Sequence, residues 1–167
     1  MPEVPDVPDF QQILAAFVEQ NVRVVMIGGV AMRLHGSAHI TDDVDFCYAR
    51  DRANLDALAR ALAPHHPKLR GAPDDLPFIW DTRTLQGLLN ITLKTDIGIV
   101  DMLGEAAGVD SFEGLWNRSV LMEAHGLPVR VASIDDRIAM KRAANRVKDR
   151  NHILELEALR HLIQSET

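Results

Sequence analysis

The sequence has little of several features that mark particular classes of protein. It contains one cysteine, Cys47, so no disulfide can form within the chain, and a reducing compartment is the expected setting. No segment approaches the roughly 18 consecutive apolar residues that a membrane-spanning helix needs. The N-terminus is acidic and proline-rich, unlike the basic and apolar start of a secretory signal. We therefore expect a cytoplasmic protein with no membrane partner.

An excess of positive charge is lacking too. The net charge of -6 at pH 7 argues against non-specific coating of nucleic acid, although a local basic patch can still bind RNA. With 167 residues and 47% hydrophobic content, the chain is long enough to bury one core. We expect one domain over residues 1–167, with a flexible N-terminal arm at about 1–9 and a helical C-terminal part at about 134–164.

The pattern of apolar residues predicts an α+β fold, with a mixed β-sheet packed by helices and a helical C-terminus. Ser133 and Asp136 form a capping pattern that opens the C-terminal helix. The predicted helices are 9–20, 30–34, 54–62 and 134–164, the last with a break near 149–151, and short helical pieces are predicted through Leu115 and Trp116. The predicted strands are 22–27, 44–49, 88–95 and 97–103, with a hairpin over 119–132 and an irregular loop over 64–77.

Carboxylates stand out on two of the predicted strands. Asp43 and Asp45 alternate with Val44 and Phe46, so both carboxylates point to one face while the apolar residues point to the core. Two adjacent carboxylates repel each other unless a cation lies between them, and Mg²⁺ prefers carboxylate oxygen ligands. Asp101 lies among core residues on a later strand. If the two strands are neighbours, the three carboxylates converge on a pair of metal ions.

Two adjacent glycines, Gly28 and Gly29, separate a predicted strand from a predicted helix. Without a Cβ the backbone can approach a phosphate closely, and the first N–H groups of the helix point toward it. The segment is not a Walker loop, because no Gly-Lys-Ser/Thr follows, and the spacing of a dinucleotide-binding fingerprint is absent. Metal-binding carboxylates beside such a turn indicate phosphoryl or nucleotidyl transfer assisted by two metal ions.

Each of these features also has a purely structural interpretation. A Gly-Gly pair is most often a tight turn, and an acidic strand can be a solvated sheet edge. The order of the features is more specific than any one of them: a strand, two glycines, a helix, alternating acids on a second strand and a lone acid on a later strand. That order favours a functional site.

The arrangement resembles the nucleotidyltransferase superfamily of DNA polymerase beta-like enzymes. The family pattern is a hydrophobic residue, Gly and then Gly or Ser, followed by Asp, a hydrophobic residue, Asp or Glu and another hydrophobic residue. Here it reads Gly28-Gly29 and, after thirteen residues, Asp43-Val44-Asp45-Phe46. The segments GGVAMRLHG, TDDVD, LKTDIGIVDML and IAMKRAANRVKD resemble more narrowly the AbiEii-type nucleotidyltransferases, many of which are toxins of toxin–antitoxin systems.

The resemblance implies the nucleotidyltransferase fold, an NTP such as ATP as substrate, and two Mg²⁺ ions. It implies that Asp43 and Asp45 bind the metals, and that Asp101 completes the metal site and deprotonates the acceptor hydroxyl. It also implies that Gly28 and Gly29 hold the triphosphate. The nucleotide contacts expected near the first acids are Gly28, Gly29 and Thr41.

The segment from Lys141 to Arg150 concentrates basic residues in a chain that is otherwise acidic. Helical spacing places Lys141 and Lys148 on one side of the expected helix, where a solvated face is the simplest interpretation. With the resemblance, we expect Lys141, Lys148 and Arg146 to contact the triphosphate or an RNA backbone. Arg142 and Arg150 are the better probes of RNA binding alone.

The sequence leaves the acceptor open. RNA, particularly a tRNA end, fits the basic helix and the toxin-like resemblance, and a toxin would have a cognate antitoxin as partner. A small hydroxylated molecule such as an aminoglycoside antibiotic fits the same chemistry, as does a hydroxyl of a protein. A non-catalytic nucleotide-binding module of the same fold is the remaining alternative, although degenerate members typically lose an acid and this chain keeps all three.

Overall fold

The computed structural model describes residues 8–28, 44–73, 75–144 and 147–165, with the backbone alone for residues 147–149 and 152. No helix in these ranges is long and apolar enough to cross a membrane. The helices are α1 (Phe10–Glu19), α2 (Arg52–Leu62), α3 (Thr82–Gln86), α4 (Phe112–Arg118), α5 (Ile134–Ala144) and α6 (Val147–Ser165). The strands are β1 (Val24–Ile27), β2 (Val44–Tyr48), β3 (Lys68–Leu69), β4 (Asn90–Thr95), β5 (Gly98–Leu103), β6 (Val120–Ala124) and β7 (Leu127–Val131).

One mixed sheet, in the strand order β3-β4-β5-β2-β1-β7-β6, organises these elements. β2 pairs antiparallel with β1 and parallel with β5, and β1 pairs parallel with β7. The antiparallel pairs β4–β5 and β6–β7 extend the sheet on either side. The expected α+β class, with a mixed sheet and a helical C-terminus, is confirmed.

One face of the sheet packs against the first three helices. Val44, Phe46 and Tyr48 alternate along β2 and are buried on this face, and the ring of Phe17 from α1 meets Phe46 edge-on with centroids 5.0 Å apart. Asp9 caps α1 by accepting a hydrogen bond from the Gln12 N–H at 3.1 Å. The helix residues fully buried in this core are Ile13, Leu14, Phe17, Leu55, Leu58, Leu62 and Leu85.

The opposite face of the sheet is covered where α4 and α5 cross it. Val25, Ile27 and Cys47 pack there against Leu115 of α4 and Met140 of α5. Cys47 is buried, and burial raises the pKa of its thiol to about 12. The thiol is therefore protonated at neutral pH and is not a nucleophile.

The C-terminal helices correct one sequence-based expectation. α6 runs unbroken through residues 149–151, where a break was expected, and residues 145 and 146, between α5 and α6, lie outside the described residues. Asp149 and Asn151 have modest helix propensity. Tertiary packing of Leu156 on Ile138 of α5 outweighs that local preference.

Two further elements differ from the sequence-based expectation. The loop expected over 64–77 contains part of a short 3₁₀ turn, Ala63–His65, and the strand β3. β3 forms because it pairs with β4, and the prolines of this segment do not prevent those backbone hydrogen bonds. The helix α3 was not expected. The helix expected over 30–34 lies outside the described residues.

The buried side chain of Asn54 ties together one end of the β1–β2 pair. Its Oδ1 accepts a hydrogen bond from the Arg23 N–H at 2.7 Å. Its Nδ2 donates to the carbonyl oxygens of Arg23 at 3.1 Å and Ala49 at 2.7 Å. Arg23 precedes β1 and Ala49 follows β2, so one amide satisfies three backbone groups at this end of the pair.

We expect Asn54→Ala to lower the free energy of unfolding by about 2–4 kcal/mol, because it leaves buried backbone groups without partners. Urea denaturation measures the loss. Asn90→Ala is the matched control, since the exposed Asn90 accepts one bond, from the Glu105 N–H at 3.2 Å, and its removal should cost less than about 1 kcal/mol. Similar losses in both variants would contradict the assignment of Asn54 as a structural hub.

Candidate active site

The register of the sheet brings Asp45 and Asp101 side by side. β2 and β5 are parallel, and these two residues are direct partners. Adjacent strands lie about 4.8 Å apart, and directly paired residues share a face of the sheet. Both residues are partly buried on the face that α4 and α5 cover in part. Asp43 and Thr41, two further predicted site residues, lie outside the described residues.

A threonine that the sequence did not single out orients Asp101. Thr92 of β4 is the direct partner of Asp101, and its hydroxyl donates a hydrogen bond to the carboxylate Oδ1 at 2.5 Å. Such a charge-assisted bond is stronger than a neutral one and fixes the carboxylate. The alternation in NITLKT predicts which residues of this strand share a face. It identifies Thr92 as the partner of Asp101 only when the β4–β5 register is known.

Gly28 stands directly against the first of these acids. Ile27 pairs with Asp45 across β1 and β2, and Gly28 follows with φ of 81°, in the left-handed region that favours glycine. A Cβ at Gly28 would overlap Oδ2 of Asp45 and would lie 2.8 Å from its Cγ. The missing side chain therefore makes room for the Asp45 carboxylate. Gly29 lies outside the described residues.

A buried arginine on α5 faces the same strand. The side chain of Arg137 is 1% exposed, and its Nη1 and Nη2 have no hydrogen-bond partner in the part of the chain that the structure describes. Burial lowers the pKa of its guanidinium to about 10, and the negative charge of Asp45 opposes that shift. Arg137 is therefore a cation at neutral pH. The sequence analysis did not single out Arg137, although its position one helical turn before Lys141 places both residues on the same side of the helix.

The first turn of α5 is fastened to α4. The Ser133 hydroxyl accepts a hydrogen bond from the Asp136 N–H at 3.0 Å and donates one to the Asp136 carboxylate at 3.0 Å, which confirms the predicted cap. The Arg118 Nε, at the end of α4, donates to the same carboxylate at 2.9 Å. These bonds fix where α5 begins and hence where Arg137 lies.

The basic segment expected to bind nucleotide or RNA is described only in part. Lys141 is partly buried and lies one turn after Arg137, on the same side of α5. Arg142 forms an ion pair with Glu157 of α6 at 2.5 Å, so it also holds the two helices together. Arg146 and the side chain of Lys148 lie outside the described residues.

Three cations lie on the same face of the sheet beyond the acids. Lys68 of β3 pairs directly with Lys94 of β4, and the Arg70 N–H donates to the Thr92 carbonyl at 2.9 Å, which places Arg70 beside Thr92. Lys68 and Lys94 are partly exposed and Arg70 is exposed. We name these three residues the basic edge. A row across β2, β5 and β4 thus runs from Asp45 through Asp101 to Thr92, and Arg70, which follows β3, extends it.

The described acids suit a hard divalent cation. Carboxylate oxygens on adjacent strands are the ligands that Mg²⁺ prefers. Within the described ranges no group of three or more His, Cys, Asp and Glu residues is placed to hold a metal ion. Asp45 and Asp101 supply two of the three predicted ligands, and the third, Asp43, lies outside those ranges.

Comparison with known proteins identifies the fold. No family profile and no curated protein sequence matches the chain. The chain is similar to the crystal structure of ANT(2")-Ia in complex with adenylyl-2"-tobramycin, with 19% identity and a TM-score of 0.55 over 93% of this chain and 95% of that one. It is also similar to TM1012 from Thermotoga maritima, described as a candidate nucleotidyltransferase, with 16% identity and a TM-score of 0.50 over 93% and 90%. The chain has the fold of the nucleotidyltransferases.

Proposed function

We propose that the chain is a metal-dependent nucleotidyltransferase, which moves an NMP from an NTP to an acceptor hydroxyl and releases pyrophosphate. One observation carries the proposal: Asp45 and Asp101 are in register on adjacent strands beside Gly28, on the fold of the nucleotidyltransferases. Carboxylates in this arrangement suit two-metal chemistry.

The chain's own groups have distinct roles in this reaction. Asp45 and Asp101, with Asp43, would hold two Mg²⁺ ions, and these would supply positive charge to offset that of the triphosphate. Asp101, oriented by Thr92, accepts the proton of the acceptor hydroxyl. The acceptor oxygen bonds to the α-phosphorus as the bond to the bridging oxygen breaks, and pyrophosphate leaves with that electron pair.

The triphosphate is held, in this proposal, by the turn after β1 and by the basic residues of the C-terminal helices. Lys141 is the described member of the second group, and its place one turn from Arg137 supports a position near the acids. The proposed nucleotide-binding residues are Gly28, Gly29, Thr41, Lys141, Arg146 and Lys148.

The basic edge favours an acceptor that carries phosphates. Its three cations share the face of the sheet on which Asp45 and Asp101 lie, and Arg70 stands two strands away from Asp101. The cations of the basic edge would neutralise phosphates of an RNA backbone that lies beside the acids. We therefore propose RNA, in particular a tRNA end, as the acceptor.

An aminoglycoside is the second candidate acceptor, because the similar structure ANT(2")-Ia is in complex with adenylyl-2"-tobramycin. Aminoglycosides carry several positive charges, so the basic edge would repel them. The toxin role implied by the resemblance is a further proposal. It is tested by whether expression arrests growth and whether a protein encoded beside it relieves the arrest.

Nucleotide transfer is tested by incubating the protein with each α-labelled NTP and Mg²⁺, in the presence of total tRNA or of tobramycin. We expect label in tRNA and none when a chelator is added. Label in tobramycin alone would select the second acceptor. NTP binding without transfer to either acceptor or to protein would favour the non-catalytic module.

We expect Asp45→Asn or Asp101→Asn to reduce nucleotide transfer at least about a thousandfold, or roughly 4 kcal/mol, because each removes a charged metal ligand. Initial rates at saturating NTP measure the loss. Asp135→Asn is the matched control: Asp135 is exposed and pairs with Arg160 at 2.6 Å, so transfer should be unchanged. Near-normal transfer by a folded Asp45→Asn variant would refute the assignment.

We expect Gly28→Ala to lose most transfer activity, because its Cβ would displace the Asp45 carboxylate. Gly126→Ala is the matched control. Gly126 has a similar φ of 77°, but a Cβ there would have nothing within 4 Å. Both variants should lose about 1 kcal/mol of stability from backbone strain. Equal activity in the two would show that Gly28 is only a turn.

We expect Arg70→Ala to lower the salt dependence of RNA binding by about one unit of slope, because one phosphate contact is lost. Filter binding of tRNA across a salt series measures the slope. The KM for NTP should not change, and Arg83→Ala, an exposed arginine on α3, should leave the slope unchanged. An unchanged slope in Arg70→Ala would remove the basic edge from the acceptor site.

A further inference from the structure

We propose that Arg137 is a positioning residue of this site: a buried cation, held by α5 against β2, that balances the charge of Asp45 and keeps its carboxylate in one orientation before metal binds. The inference rests on the proposed function for its catalytic consequence. It assigns a role to a residue outside the predicted metal and nucleotide contacts.

Arg137 is a buried cation, so its charge must be compensated within the protein. It is the largest of the fully buried side chains in the described part of the chain. Buried arginines are ordinarily paired, since a guanidinium removed from water without partners is costly. Nη1 and Nη2 of Arg137 find no hydrogen-bond partner among the described residues. A nearby opposite charge is therefore the main compensation available to it.

The neighbours of Arg137 on the sheet supply that charge. Met140, one turn further along α5, packs against a buried cluster that includes Cys47, which is on the same face of β2 as Asp45. Among the charges that favour the guanidinium, that of Asp45 is the largest. The Asp45 carboxylate is thus the counter-charge of Arg137.

α5 has little freedom to move the guanidinium away. Its first turn is fastened by Ser133 and by the Arg118–Asp136 ion pair. Further along, the loop after β5 packs closely on the α5 backbone, since a Cβ at Gly108 would lie 2.5 Å from the Ala139 carbonyl oxygen. The cation is therefore held in place before any ligand arrives, which is what positioning requires.

The charge of Arg137 offsets a repulsion that the sheet creates. Asp45 and Asp101 are adjacent like charges, and without metal each drives the other away. Gly28 leaves space on one side of the Asp45 carboxylate and Arg137 attracts it from α5. Because Arg137 is 1% exposed, it acts through Asp45 rather than by touching substrate.

The kinetic test compares Arg137→Met, which keeps the volume and loses the charge, with Arg137→Lys. We expect Arg137→Met to lower kcat about tenfold to a hundredfold, with the KM for NTP within about threefold of the original and no higher Mg²⁺ requirement. Arg137→Lys should recover much of kcat. Arg130→Met, on the ring of Trp116 at 5.0 Å, is the control and should leave kcat unchanged.

Three kinetic outcomes would overturn the inference. Unchanged kcat in Arg137→Met would remove any role in the site. A raised KM for NTP with unchanged kcat would make Arg137 a substrate contact. Equal loss in folded Arg137→Met and Arg137→Lys would assign the effect to shape rather than to charge.

A metal-free measurement tests the pairing without turnover. Urea midpoints are compared for the original protein, Arg137→Met, Asp45→Asn and the double variant, all in chelator. We expect Arg137→Met to shift the midpoint less in the Asp45→Asn background, because the attraction is already lost. Equal shifts in both backgrounds overturn the inference. Arg137→Gln, which also removes the charge, replaces Arg137→Met if the latter does not fold. If the original protein is inactive, the proposed function is wrong. The urea midpoints still decide whether Arg137 and Asp45 interact, because that measurement does not depend on activity.

Discussion

The register of β2 against its two neighbours is the constraint on which the candidate site depends. Asp45 lies opposite Ile27 of β1 and opposite Asp101 of β5. Val44 and Phe46 on either side of it are buried in the core. A slip of one residue would send Asp45 into that core and the apolar residues to the other face, so burial itself fixes the acid in place.

That placement concentrates negative charge, and the surrounding elements compensate for it. Thr92 donates a hydrogen bond to Asp101, and Gly28 yields the space that the Asp45 carboxylate fills. Arg137 brings a buried positive charge from α5. The three residues come from three different elements, so the acids are held by the tertiary structure rather than by their own strands.

The two faces of the sheet serve different purposes. One face carries the core made with α1, α2 and α3, which accounts for most of the buried apolar residues. On the other face, α4 and α5 cover β1 and part of β2, while the side toward β3 carries partly exposed polar residues and the basic edge. Of the described residues, those on this side of the face are the ones that the proposed RNA acceptor would contact.

The sequence by itself determined the fold class, most of the strands and helices, the cap at Ser133 and the likeness to nucleotidyltransferases, because these follow from local periodicity, capping and a compact motif. It also indicated Asp45 and Asp101 as a pair, although their adjacency depended on an assumed strand order. Only the tertiary structure decided that order and the positions of Thr92, Arg70 and Arg137 relative to the acids. Strand pairing or helix packing brings these three residues to the face of the sheet on which the acids lie. No local pattern encodes such contacts, because they join segments that lie far apart in the chain.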